Sequence, residues 1–186
     1  MEADRQHWDD RYEGQGLASP RPPDVLDDAA DLLALLPAGG TAVDIACGAG
    51  AQSLWLAGLG YDVVALDVSP VAIELTRSAA AEHALEGRID ARVVDLDDGL
   101  PADLHDVAVV VCQRFRARGL DAPIIEVVSP GGLVIVTVLS VVGAAGQPGA
   151  FHAPPGELLD AFTRRDVEIL HHAEGNGSAS IVARRV

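Results

Sequence analysis

Short apolar segments alternate with helix-like segments along most of this 186-residue chain, and this alternation limits the folds open to it. The apolar segments are rich in Val, Ile and Leu, and they occupy residues 41–45, 61–66, 89–94, 106–111 and 133–139. Between them, helical patterns cover residues 51–59, 70–86 and 120–128. Apolar strands that alternate with helices are typical of a parallel sheet covered on both faces. We therefore predict a doubly wound α/β fold.

The two ends of the chain differ from this pattern. Apolar positions at helical spacing between 25 and 36 predict an amphipathic helix capped by Asp24. Near the other end, a helix over residues 155–164 precedes two strand-like segments, 167–171 and 180–184, that flank a Gly-rich turn. We expect the sheet to finish with an antiparallel hairpin at its edge.

The length and the absence of a linker or repeat predict a single domain over residues 1–186. Residues 1–40 form its N-terminal helical lid region in this interpretation. The Gly-, Ala- and Pro-rich segment 143–156 is long and irregular. Because such loops in compact domains are usually functional or mobile, we expect it to be a flexible active-site loop.

Composition narrows the choice of partner and compartment. The net charge of −15 would repel nucleic acid and anionic membranes, so we expect a small-molecule partner. All thirteen basic residues are Arg, which excludes Lys-dependent phosphate loops and pyridoxal Schiff bases. The chain shows no signal-like start, no apolar run near the ~20 residues that span a bilayer, and only two Cys. We expect a cytoplasmic protein.

Chemistry-bearing residues follow the first two predicted strands. Ligands of doubly wound sheets bind beyond the carboxyl ends of the strands, where Asp44 and the turn from Ala46 to Gly50 lie. The next strand ends in Asp67, whose carboxylate suits the two hydroxyls of a ribose. The turn lacks the third Gly of a dinucleotide fingerprint, and Asp44 would repel a pyrophosphate but attract an ammonium group. These residues favour an adenosine-type cofactor with an amino group.

At these positions the sequence resembles the class I S-adenosylmethionine (SAM)-dependent methyltransferases. The stretch VDIACGAGAQSLWLAGLGYDVVALDVSPVAIE is similar to the first two motifs of that family, and Pro-Gly-Gly at 130–132 is similar to a late one. Trp8 and Tyr12, in the stretch WDDRY, resemble the start of the tellurite-resistance and thiopurine-type enzymes. The resemblance implies a Rossmann-like, mostly parallel seven-stranded sheet, with SAM as cofactor and S-adenosylhomocysteine as product.

The resemblance also implies roles for individual residues. Asp44 and the backbone from Ala46 through Cys47 and Gly48 to Gly50 would hold the methionine part of SAM, and Asp67 would hold the ribose. The adenine would lie against Val68, with Asp95 and Leu96 at its amino group, and Cys112 would lie near the sulfonium. Trp8 and Tyr12 share one face of a helix, so they form either a lid over the cofactor or a patch that seals the core.

The pattern shows no convincing acid/base pair, so we assign no catalytic residue. Candidate acceptor-binding residues are Arg114, which could steer an anionic substrate, and Phe151 and His152 in the long loop. A metal site is not expected, because the adjacent His171 and His172 would point to opposite faces of a strand.

The favoured function is in-line methyl transfer from SAM to a small-molecule acceptor. A Rossmann-type NAD(P)-dependent oxidoreductase and a non-catalytic SAM-binding protein remain alternatives. The identity of the acceptor and the oligomeric state stay open.

Overall fold

A computed structural model describes residues 2–27, 29–116, 119–163 and 166–186. Within this part of the chain, seven strands form one sheet in the order β3-β2-β1-β4-β5-β7-β6. The strands are β1 Thr41–Ile45, β2 Asp62–Asp67, β3 Ile89–Val93, β4 Val107–Gln113, β5 Val128–Leu139, β6 Val167–Gly175 and β7 Ser178–Arg185. The predicted α/β class and the seven-stranded, mostly parallel sheet are confirmed.

Strand β1 lies at the centre of the sheet and pairs in parallel with β2 on one side and β4 on the other. The chain order therefore reverses beside β1, which is where open α/β sheets bind ligands. Strand β7 runs antiparallel to both β5 and β6, so the predicted hairpin is present and β6 forms the edge. The carboxyl ends of β1, β2, β4 and β5 consequently share one rim of the sheet.

Helices flank the sheet on both faces. They are α1 Glu2–Tyr12, α2 Asp24–Asp27, α3 Ala30–Leu33, α4 Ala51–Gly58, α5 Pro70–Glu82, α6 Asp121–Val127 and α7 Glu157–Thr163. Helices α6 and α7 pack on the face formed by Ile45, Cys112 and Val136, whereas α2, α4 and α5 cover the face formed by Ala42, Val111 and Ile135. On the second face, the residues of the edge strand β6 are only partly buried or exposed, whereas Val182 of β7 is fully buried.

The single helix predicted from the pattern over 25–36 is wrong, because the chain forms two short helices there. Ala29, between them, has φ −135° and ψ 66°, outside the helical region. Asp27 ends α2, where its charge faces the negative end of the helix dipole and opposes extension of that helix.

None of the helices in the described ranges is both long and apolar enough to cross a membrane.

Candidate functional site

The turn between β1 and α4 is a tight cradle that depends on two glycines. Ala46, Gly48 and Gly50 all have positive φ, at 54°, 55° and 86°. A Cβ on Gly48 would lie 2.5 Å from the Tyr12 hydroxyl oxygen, and one on Gly50 would lie 2.7 Å from Cγ2 of Thr76. Backbone at these positions therefore approaches its neighbours more closely than any side chain would allow.

Asp67 ends β2 and its carboxylate is fixed by the backbone. One oxygen accepts the amide N–H of Gly48 and the other accepts that of Ser69, each at 2.9 Å. Burial raises the pKa of Asp67, while these amide bonds oppose the rise. An ionised carboxylate has about four acceptor positions, so both oxygens can still accept hydrogen bonds from a ligand diol.

Asp44 lies under the turn, almost wholly buried. The Ser53 hydroxyl donates to its Oδ2 at 2.6 Å. Burial raises the pKa of Asp44 to about 7, against the lowering effect of Ser53. A cation bound above the turn would favour the ionised form of this carboxyl.

Helix α1 lies across the turn and is anchored to the start of α5. The Asp9 carboxylate accepts hydrogen bonds from the Ser69 hydroxyl and, at 3.4 Å, from the Val71 amide. Trp8 and Tyr12 stack with ring centroids 6.2 Å apart. The Tyr12 hydroxyl reaches Gly48, and burial raises the pKa of Tyr12 to about 12.

These elements enclose a cavity of about 340 Å³. Nine of the predicted site residues line it: Trp8, Tyr12, Ala46, Cys47, Gly48, Asp67, Val68, Leu96 and Arg114. Its volume lies within the 300–1,000 Å³ range of small-molecule sites.

Six predicted residues lie off the wall of this cavity. Asp44 is beneath the turn, Gly50 faces Thr76, and Asp95 accepts the Asp97 amide N–H at 3.1 Å. Phe151 packs edge-on against Trp8, with ring centroids 6.4 Å apart, and His152 accepts the Gly149 amide N–H at 3.1 Å.

Cys112, the sixth, lines a separate cavity of about 230 Å³ on the opposite face of the sheet. Its neighbour Gln113 lines the cofactor-sized cavity instead. Successive side chains of a strand alternate between faces, so Cys112 and Gln113 lie on opposite sides of the sheet. The position of Cys112 near the sulfonium stays a prediction.

Seven residues that the sequence analysis did not propose as site residues also line the cavity: Arg11, Arg21, Asp24, Ala51, Gln52, Gln113 and Phe115. Ala49, which lies within the predicted turn, lines it as well. Asp24 accepts from Arg21 at 2.7 Å and from Arg114 at 2.9 Å, so the two guanidinium groups share one carboxylate. Gln113 could have been found from the sequence, because it is a polar residue at the carboxyl end of β4.

Arg118, which the sequence groups with Arg114 and Arg116, lies outside the described residues.

The residues of the cavity fit SAM. A carboxylate with free acceptor positions suits the ribose, and apolar Val68 and Leu96 suit a flat base. The glycine cradle and the buried Asp44 suit a small terminus that carries an ammonium. The fold and the cavity thus define a Rossmann-like protein with a nucleoside-cofactor site at the point where the strand order reverses.

Comparison with known proteins identifies the family. Residues 42–132, about half of the chain, match the methyltransferase domain family. The solved structure of TehB from Haemophilus influenzae has a TM-score of 0.70 and 21% identity, covering 87% of this chain and 62% of that one. The chain belongs to the class I SAM-dependent methyltransferases, and its fold resembles that of TehB. This membership argues against the NAD(P)-dependent oxidoreductase alternative.

Curated relatives share shorter stretches. An uncharacterized RNA methyltransferase of Parasynechococcus marenigrum is 35% identical over 97 residues, which cover 51% of this chain and 21% of that protein. A 2-heptyl-1-hydroxyquinolin-4(1H)-one methyltransferase of Mycobacteroides abscessus is 27% identical over 143 residues, covering 70% and 63%. The chain thus spans between about a fifth and three fifths of these relatives.

Proposed function

We propose that the chain transfers a methyl group from SAM to a small-molecule acceptor by in-line displacement. The observation that carries this proposal is the cavity at the ends of β1 and β2, where the Gly48 cradle and the fixed carboxylate of Asp67 meet. When bound there, SAM supplies an electrophilic methyl group on a sulfonium. The acceptor contributes the electron pair, and its proton, where it has one, leaves to solvent.

The chain's own residues bind and orient the reactants in this proposal. Asp67 accepts from the ribose hydroxyls, and Val68 and Leu96 contact the adenine. Asp44 and the backbone of Ala46–Gly50 hold the methionine end. Alignment and exclusion of water promote transfer to an acceptor that reacts in its deprotonated form, and the proposal assigns no protein base.

Several observations support a small acceptor. Helix α1 contributes Trp8, Arg11 and Tyr12 to the wall of the cavity, and Phe151 from the loop after β5 packs on Trp8. The volume of about 340 Å³ leaves little room for an acceptor much larger than a small molecule. The net charge of −15 opposes binding of RNA, the acceptor suggested by the name of one relative. A hydroxyquinolone, the acceptor in the name of another relative, is a small molecule.

The test is an acceptor screen with methyl-labelled SAM that spans phenols, thiols, amines, selenite, tellurite, halides, bulk RNA and bulk protein. We expect label transfer to one small-molecule class, with none to RNA or protein. Faster methylation of RNA or protein than of every small molecule would refute the acceptor class. Binding of SAM without transfer to anything would support the non-catalytic alternative.

A further inference from the structure

A second cavity lies beside the first on the incompletely covered face of the sheet. It has a volume of about 520 Å³ and lies at the ends of β5 and β6 and the start of β7. Asp24 and Arg114 line both cavities, so their ion pair is the partition between the two. Anything bound in the second cavity is therefore next to the cofactor-sized one.

The wall of this second cavity includes a buried hydroxyl group that forms no hydrogen bond within the described part of the chain. Thr137 is 4% exposed, and its Oγ1 has no hydrogen-bond partner among the described residues. A buried hydroxyl without a partner is destabilising, which makes it a feature that a ligand can complete. Ser180 pairs with Thr137 across the β5–β7 ladder, and His171 lies on the same wall.

The ion pair between Asp24 and Arg114, which separates the two cavities, can be broken at low cost in free energy. The Arg114 and Asp24 side chains are 66% and 33% exposed, and an ion pair in contact with water contributes little stability. Arg114 has φ 58°, so the chain turns sharply just after β4, and its amide donates to the Thr137 carbonyl at 2.7 Å. The position of Arg114 is thereby tied to the residue that carries the unused hydroxyl.

We propose that the second cavity is the acceptor site and that it takes a small, neutral, hydroxyl-bearing ring compound. One ring hydroxyl bonds to Thr137 Oγ1. A second hydroxyl, whose proton leaves to solvent, points past the Asp24–Arg114 pair toward the cofactor cavity, where its oxygen would take the methyl group.

The charges and apolar groups on the wall define this class. Among the described residues, this wall carries one guanidinium, that of Arg114, which is paired with Asp24, and a second carboxylate, Glu174, which accepts from the Ser140 hydroxyl at 2.6 Å and the Gly156 amide at 3.0 Å. An anionic acceptor would therefore meet two carboxylates and one guanidinium that is already paired. Val25, Val138 and Leu139 supply apolar contacts for a ring. The inference rests on the proposed function, since it assigns the acceptor to that reaction.

The experiment compares Thr137→Val with the control Thr41→Val, the same change in β1 outside both cavities. Binding of catechol and of S-adenosylhomocysteine is measured by titration calorimetry, with catechol titrated into both free and S-adenosylhomocysteine-loaded protein. Thr137→Val should weaken catechol about tenfold and leave S-adenosylhomocysteine affinity within about twofold. It should also raise the Tm of the free protein by about 2–4 °C relative to Thr41→Val, because the unpartnered hydroxyl is removed.

Three results would overturn the assignment. They are no catechol binding to either form, catechol binding that Thr137→Val leaves unchanged, and a Tm of Thr137→Val below that of Thr41→Val. Failure of S-adenosylhomocysteine to bind the wild type would instead count against the proposed function. The two failures are therefore distinguishable.

Discussion

Replacement of Gly48 by Ala should destabilise the protein, because the new methyl group would collide with the side chain of Tyr12. A second substitution, at Tyr12, tests that contact. The new Cβ would lie 2.5 Å from the Tyr12 hydroxyl oxygen and 3.2 Å from the ring carbon that carries it. The φ of 55° adds a left-handed penalty of about 1–2 kcal/mol for a residue with a side chain. Displacing Tyr12 also weakens its stacking on Trp8, by about 0.5–1.5 kcal/mol.

The total, about 1.5–3.5 kcal/mol, corresponds to a Tm lower by about 3–14 °C for a chain of this size. Tyr12→Phe removes the atom in closest contact, so in that background Gly48→Ala should cost less, close to the backbone penalty. Urea denaturation of the four proteins in this double-mutant cycle measures the difference. Equal costs of Gly48→Ala in both backgrounds would refute the packing of Tyr12 on the turn.

Three further predictions concern the same region. Asp44 has a pKa of about 7 in the folded protein, above its unfolded value, so its contribution to the free energy of unfolding is present at low pH and lost as pH rises from about 4 to 7. In Asp44→Asn, the free energy of unfolding should therefore change less with pH over that range. An unchanged pH dependence would contradict the burial of the carboxyl. Ser69→Ala removes the cap of α5 and the contact with Asp9, so chemical denaturation should show a loss of about 1–2 kcal/mol, whereas no loss would contradict that capping. Trp8→Ala should weaken SAM binding several-fold in calorimetry while Phe151→Ala leaves it unchanged, because only Trp8 lines the cavity; equal effects would contradict that difference.

The sheet and the glycine turn could be predicted because their signals are local. A run such as that in β1 is β-branched and apolar over its own few residues, and Gly48 marks a backbone conformation that needs no distant partner to be recognised. Asp67 at the end of the next strand followed from the same reasoning, since parallel strands place their carboxyl ends on one rim.

The remaining features depend on contacts between distant positions. The pairing of Asp24 with Arg114 joins residues 90 positions apart, and no local pattern indicates it. Thr137 carries a buried hydroxyl in an otherwise apolar strand, but the sequence does not show that the hydroxyl lacks a partner. Which of the adjacent residues Cys112 and Gln113 faces the cofactor-sized cavity depends on how β4 pairs within the sheet, and the sequence alone does not show this.

The central claim is that the cavity at the ends of β1 and β2 binds SAM through Asp67. Titration calorimetry with SAM and with NAD⁺ tests it, using wild type, Asp67→Asn and, as control, Asp62→Asn at the exposed start of the same strand. The account predicts saturable 1:1 binding of SAM to wild type and Asp62→Asn, affinity at least tenfold weaker in Asp67→Asn, and no binding of NAD⁺. Binding of NAD⁺ but not SAM, or full SAM affinity in a folded Asp67→Asn protein, would contradict it.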